Sequence, residues 1–240
     1  MNLYIGANGI THLARDTATS HHATHAHKLV VPLDAPIVLS TGTRAEDIMA
    51  PVFVPANVSQ SMGSEGSTLA LFWEPEHPLG RALNAASGSI NVIEGSARRF
   101  VVGAIQELVR TSRDPDTRAT ILDEVARILG AGTTPRVIDP RIVEAQELIA
   151  SRSGAISRGD IASEIGLSES RFSHLFTAQA GTSFQRYVLW TRTKHALREI
   201  LSGASLTDAA LIAGFSDHAH LTRTMRRFVG QPPSYVKTMI

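Results

Sequence analysis

The sequence predicts an α+β protein in two parts: a small antiparallel β-barrel with trailing helices over residues 1–138, and an all-helical domain over 139–240. Three observations predict it. Short β-prone runs punctuated by Gly, Pro, Asn and Ser fill the first third, and beyond about residue 96 the apolar residues recur at helical spacing. The last hundred residues then contain a duplicated helix pair. With 240 residues, 43% of them apolar, the chain has material for more than one core.

The runs Asn2–Ile5, Lys28–Pro32, Ile37–Thr41, Pro51–Pro55 and Thr68–Trp73 read as strands of a small sheet or barrel. Trp73, like Trp190 later, reads as core packing. Phe100, Val101, Ala104, Ile105, Leu108 and Val109 then mark one amphipathic helix, and Ala119, Leu122, Val125, Ile128 and Leu129 a second, divided at Asp114-Pro115 within about 96–130. These helices bury their faces within the domain or pair with a second copy of the chain. Gly130 to Pro135 reads as a helix stop and linker, and Asp139-Pro140 as the N-cap and first-turn proline of the next helix.

A shift of 48 residues pairs Ser157 with Ser205, Asp160 with Asp208, Ala162 with Ala210, Gly166 with Gly214, Ser168 with Ser216 and Tyr187 with Tyr235. One further residue of shift pairs Phe172 with Leu221, Phe176 with Met225 and Gly181 with Gly230. The repeat has mechanical content. Ser-x-x-Asp caps a helix start in each copy, a Gly follows where a sharp turn needs positive φ, and Ser168 or Ser216 is placed to cap a second helix. Helix, Gly-containing turn and second helix make a helix-turn-helix unit, present twice.

On the second helix of the first unit, Phe172, Leu175 and Phe176 turn inward, leaving Glu169, Ser170, Ser173, His174 and Thr177 outward. On its counterpart Leu221, Met225 and Phe228 turn inward and His218, Ala219, Thr222, Arg223 and Arg226 outward. A helix with such a face fits the major groove, where Arg binds guanine bidentately and Ser or Thr serves several base edges. Ser170, Ser173, His174, Thr177, His218, Ala219, Thr222 and Arg223 are therefore the expected base readers, Arg223 foremost. Arg186, Arg192, Lys194, Arg226, Arg227 and Lys237, near helix ends or on the connecting helix, are the expected phosphate contacts.

Charge agrees in sign. Residues 139–240 hold 12 Lys and Arg against 9 Asp and Glu, whereas 1–138 hold 11 against 13. A surplus of three is too small to decide the matter without clustering on one face.

At these residues the segment from about Asp139 to Ile240 resembles the DNA-binding domain of AraC/XylS-type transcription regulators. The resemblance runs through Ile161-Ala162, Gly166-Leu167-Ser168, Phe172, Phe176, Gly181, Arg192 with Ala196 and Leu201, and Gly214-Phe215-Ser216-Asp217. It continues in Leu221-Thr222-Arg223 and Gly230-Gln231-Pro232-Pro233-Ser234-Tyr235. It implies seven helices, a long connecting helix at about Ser183–Leu201, and recognition helices at about 168–180 and 217–229 entering successive major grooves. Two positions depart from the family pattern: Met225 replaces a large aromatic and Ala209 an Ile. The implied partners are double-stranded promoter DNA, a small-molecule effector, a second copy of the chain and, for an activator, RNA polymerase.

The early strands resemble the cupin-like sensing domain found in many such regulators, through His25-Ala-His27 before Lys28–Pro32 and through Val54-Pro55-Ala56-Asn57-Val58. His21, His22, His25 and His27 offer imidazoles, and a cupin enzyme gathers two His, a carboxylate and a later His at one open metal site. No Glu follows Lys28 closely and Gln60 stands where the later His is expected, so no metal or other cofactor is expected. His25 and His27 are the only metal candidates, with Asp34, Glu46, Glu65, Glu74 or Glu76 as further ligands. The alternative to a regulator is thus a metal-dependent cupin enzyme with a helical appendage.

Other functions are excluded on residue grounds. No Gly-rich phosphate loop, Gly-x-Ser-x-Gly elbow, His-Glu-x-x-His helix or paired carboxylate constellation is present, so no enzyme is expected. Zero Cys removes thiol nucleophiles and Cys-based zinc sites. No apolar stretch approaches the ~20 residues of a membrane span, and Met1 to Gly9 lacks the features of a secretory signal. A cytoplasmic place without membrane contact is expected.

Overall fold

The computed structural model describes residues 3–5, 10–42, 44–86, 88–110, 115–130, 137–152 and 156–238. The chain forms two compact units, Met1–Arg136 and Val137–Ile240.

The first unit is a curled antiparallel sheet, a half-barrel, followed by helices. Its strands are β1 (Leu3–Ile5), β2 (Ile10–Ala18), β3 (His27–Pro32), β4 (Ile37–Thr41), β5 (Arg44–Ile48), β6 (Val52–Val54), β7 (Ser61–Trp73) and β8 (Asn91–Val92). The helices are α1 (Pro78–Ala86), α2 (Gly95–Arg110) and α3 (Pro115–Leu129). The 13-residue β7 is the spine. One edge pairs with β2, from Ile10↔Phe72 to Ala18↔Gly63. The other pairs first with β3, from His27↔Trp73 to Pro32↔Thr68, and then with β4, through Val38↔Gly63 and Leu39↔Met62.

The change of partner falls at Gly66. A Cβ there would lie 2.1 Å from Asp34 Oδ1 and 2.6 Å from Ala35 Cβ, so only glycine lets the β3–β4 connection cross so closely. The crossing is pinned by Ser67 N–H donating to Asp34 Oδ1 at 2.5 Å and by Leu33 N–H donating to Ser67 O at 2.9 Å.

Both faces of the sheet are buried. On the outer face Leu29, Val31, Phe53, Leu69, Leu71 and Trp73 pack against Leu83 of α1, Val101, Ile105 and Leu108 of α2, and Leu122 and Val125 of α3. On the inner face Val30, Ile37, Leu39, Ile48, Val52, Val54, Met62 and Ala70 form a separate core. Strict alternation along β3 and β7 assigns each residue to one face, which fixes the surroundings of every polar group described below.

The second unit is all-helical: α4 (Pro140–Ser151), α5 (Arg158–Glu164), α6 (Glu169–Ala180), α7 (Phe184–Leu201), α8 (Leu206–Ile212), α9 (His218–Val229) and α10 (Pro233–Lys237). These are seven helices among the described residues, with α7 the long connector. Asp139 caps α4, with Pro140 in the first turn. The expected linker at 131–135 lies outside the described residues.

Candidate nucleic-acid interface

The first helix-turn-helix is α5 and α6. Ser157 Oγ accepts from Asp160 N at the start of α5. Gly166 takes φ +68°, and Leu167 N–H reaches back to Ala162 O at 2.8 Å, closing the helix with the six-residue bond of a Schellman turn. Ser168 then caps α6 by accepting from Arg171 N at 3.3 Å. Phe172 and Phe176 are wholly buried, packing edge-on against Phe184 and Tyr187 of α7 with ring centroids 5.3–6.1 Å apart. Burial of that stripe turns the opposite one outward: Ser170, His174 and Thr177 are exposed and Ser173 is half-buried.

Arg171 belongs to this exposed stripe and was not among the residues expected from sequence. Its spacing carried the signal, since it lies one residue before the buried Phe172 and three before His174. Glu169, also outward, is held by Arg158 of α5, whose Nε donates to Oε1 at 2.7 Å. This ion pair ties the first helix of the unit to the second.

The second helix-turn-helix repeats the device with one extra residue in the turn. Helices α5 and α8 are offset by 48 residues, but α6 and α9 by 49, so four residues separate the first pair of helices and five the second. Ser205 caps α8, Gly214 takes φ +82°, and Phe215 N–H reaches Ala210 O at 2.9 Å. The expectation that Ser216 caps α9 is corrected: the extra residue places Asp217 at that position, and its Oδ1 accepts from His220 N at 2.6 Å. Ser216 instead donates to Asp217 Oδ2 and lies 3.2 Å from His220 Nδ1. These hydrogen bonds hold the Asp217 carboxyl below its usual range.

Leu221, Met225 and Phe228 of α9 are buried, so His218, Ala219, Arg223, Arg226 and Arg227 are exposed and Thr222 is half-buried, 3.4 Å from His218 Nε2. Met225 and Ala209, the two departures from the family pattern, are both wholly buried.

The expected phosphate contacts divide into two groups. Arg226, Arg227 and Lys237 are exposed. Arg186, Arg192 and Lys194 on α7 are half-buried. The Arg186 guanidinium lies 4.9 Å from the centre of the Phe228 ring, a cation–π contact that joins α7 to α9. Burial, then the nearby Arg227, lowers its pKa, and burial lowers that of Arg192.

In the first unit both metal candidates are buried, His27 on the face of the sheet that packs against the helices and His25 just before β3. His27 pairs in register with Trp73, stacks on Phe53 at 5.6 Å between centroids, and accepts from Ala56 N at 3.2 Å. His25 Nε2 lies 3.1 Å from Glu76 Oε2, both side chains almost fully buried. Among the described residues no three His, Cys, Asp or Glu side chains gather as a metal site. No helix is long and apolar enough to cross a membrane among them either.

Comparison with known proteins bears on both units. Residues 161–239 match the family model described as a helix-turn-helix domain. HTH-type transcriptional regulators of Staphylococcus aureus strains MSSA476 and N315 are each 35% identical over 79 residues, 32% of this chain. The chain spans only 11% of the length of those relatives. Over the whole chain the fold is similar to ToxT from Vibrio cholerae O395, with TM-score 0.63, 9% identity and 98% of each chain covered. It is equally similar to unsaturated fatty acid-bound ToxT from strain SCE256, with TM-score 0.62, 12% identity, and 99% and 97% covered. The family match and the duplicated turns identify residues 161–239 as a helix-turn-helix domain, and along the full length the fold is similar to that of ToxT.

Proposed function

We propose that the chain is a sequence-specific DNA-binding transcription regulator in which α6 and α9 enter successive major grooves. The observation that carries this reading is the pair of outward faces, Ser170–Arg171–His174–Thr177 and His218–Ala219–Thr222–Arg223, each presented by a capped helix anchored on α7. Ser, Thr, His and Arg suit base edges, and the exposed Arg226, Arg227 and Lys237 suit phosphates. Arg171 joins the readers. Arg186, Arg192 and Lys194 are phosphate contacts only through what their packing leaves accessible.

The N-terminal unit is the regulatory part, binding a small effector or a second copy of the chain and shifting DNA occupancy. Support for an effector comes from the fold shared with ToxT, one of whose structures holds an unsaturated fatty acid. A cytoplasmic, non-enzymatic protein follows from the same reading, with contact to RNA polymerase where it activates. The rival cupin enzyme gains no support from His25 and His27, both of which are taken up by other partners. Selection of bound fragments from random DNA, followed by titration of the enriched sequence against scrambled DNA, tests the reading. Specific affinity at least about a thousandfold above the non-specific level is expected; equal affinity for both sequences refutes it.

A further inference from the structure

The outward face of α6 carries one carboxylate that the base readers named above leave unused. Glu169 is the first residue of α6, the end at which a recognition helix brings its side chains to base edges, and it is exposed one turn before Ser173. An acidic residue in a first turn also stabilises the helix dipole. That accounts for its charge but not for the way it is held.

Arg158, the first residue of α5, holds the carboxylate by one oxygen. Its Nε donates to Glu169 Oε1 at 2.7 Å and its Nη2 donates to the same atom, so the guanidinium fork closes on Oε1 instead of spanning both oxygens. Oε2 has no donor among the described residues, and the Glu169 side chain is 51% exposed. Arg158 thus offsets a charge that nearby phosphates would repel, restrains the carboxylate, and leaves a second acceptor open. An exposed ion pair contributes little to stability, so joining α5 to α6 is a weak reason for this arrangement.

We infer that Glu169 is a base reader for cytosine and that Arg158 is its positioning residue. Cytosine presents its N4 amino donor in the major groove and no acceptor of its own, adenine sets the N7 acceptor beside its N6 donor, and guanine and thymine present acceptors. A carboxylate only accepts, so it gains a hydrogen bond from cytosine, is opposed by N7 at adenine, and is repelled at guanine and thymine. The inference rests on reading α6 as a groove-entering helix, and it gives that helix a residue that rejects wrong bases as well as accepting the right one.

Selection of bound fragments from random DNA by the full chain and by Glu169→Ala, Glu169→Gln and Arg158→Ala tests it, followed by titration of duplexes varied at one base pair. Both side chains are about half exposed, 46% for Arg158 and 51% for Glu169, so the variants are expected to fold, with thermal melting as the check. The unaltered chain is expected to require a C·G pair whose replacement weakens binding by about 5–150-fold, and Glu169→Ala to bind all four variants of that pair within about twofold while every other position keeps its preference. Glu169→Gln is expected to bind the adenine variant at least as tightly as the cytosine one, because a carboxamide meets adenine N6 and N7 together. Arg158→Ala is expected to reduce discrimination at the same base pair alone. A Glu169→Ala chain that keeps the full motif, or that loses affinity for all sequences alike, overturns the inference, as does an undiminished cytosine preference in Glu169→Gln. Unchanged discrimination in Arg158→Ala removes its positioning role. Enrichment of no motif by the unaltered chain refutes the regulator reading itself, so the two failures are distinguishable.

Discussion

Replacement of Arg223 by Ala separates base readout from every other role the second unit plays. The side chain is exposed on α9, one turn from the N-terminus, and the core of the unit is built from Leu221, Met225 and Phe228 on the opposite face. Arg223 contributes to the field that lowers the Asp217 carboxyl pKa, but it is the last but one of the causes, behind the hydrogen bonds of the cap. Truncation should therefore leave the melting temperature nearly unchanged, within about 0.5 kcal/mol of stability. A bidentate contact to guanine discriminates by about 1–3 kcal/mol, so affinity for the selected operator should fall by about 5–150-fold while affinity for scrambled DNA barely moves. Arg226→Ala and Arg227→Ala should do the reverse. Each removes a phosphate contact, weakens binding to both sequences alike, and lowers the slope of log K against log salt by about 0.9. The assay is fluorescence anisotropy on both duplexes at four salt concentrations. Equal loss on operator and scrambled DNA for Arg223→Ala, with a reduced salt slope, would show that this residue holds phosphate and that α9 is not read as argued.

Three further outcomes follow from packing and titration. His12 and His22 bind protons in the unfolded chain near pH 6.5 but in the folded chain only near pH 4, so stability should fall as pH drops from about 6.5 to about 4, each group contributing up to about 3 kcal/mol; a flat acid limb in urea melts contradicts this. Phe176→Ala empties the centre of the aromatic cluster formed with Phe172, Phe184 and Tyr187 and should cost about 3–5 kcal/mol, read as loss of helical signal at a lower denaturant concentration. Asp217→Ala should cost about 1 kcal/mol by leaving the first turn of α9 uncapped, and Ser216→Ala distinctly less; a larger loss for Ser216 would reverse the assignment of the cap.

The C-terminal unit was legible in the sequence because its signals are local. Ser157, Ser168, Ser183 and Ser205 each cap the helix that follows, as residues of that type do wherever a helix needs an acceptor for its free amides. The cap at Asp217 is displaced from the position the repeat predicts, because the offset of 48 that pairs Ser168 with Ser216 becomes 49 within the turn. The strands of the N-terminal unit were harder. Ile10–Ala18 has Arg15 and Asp16 at an irregularity in the ladder, Asp16 at φ +49°, which breaks the alternation on which strand recognition depends. Arg44–Ile48 is an exposed edge strand made mostly of charged residues, a composition that protects an edge but reads as a loop. The faces were beyond reach altogether. That His27 meets the helical layer while Lys28 meets the inner face follows from the pairing of β3 with β7, in which His27 and Lys28 meet residues more than forty positions away.

The half-buried arginines on α7 bear on how charge is distributed between the two helix-turn-helix units. Phe184 and Tyr187 of α7 hold α6, and Arg186 and Trp190 hold Phe228 of α9, so one rigid helix serves both recognition helices through adjacent stripes. The guanidinium that stacks on Phe228 is partly spent on that joint and is a weaker phosphate ligand than its charge suggests. On α6 the carboxylate of Glu169 is held by Arg158, leaving Arg171 as the exposed cation of that helix, whereas α9 exposes Arg223, Arg226 and Arg227. On the proposed DNA-binding reading, salt-dependent affinity is therefore expected to concentrate in the second unit. The first is expected to contribute through hydrogen-bonding side chains, whose contacts survive added salt better.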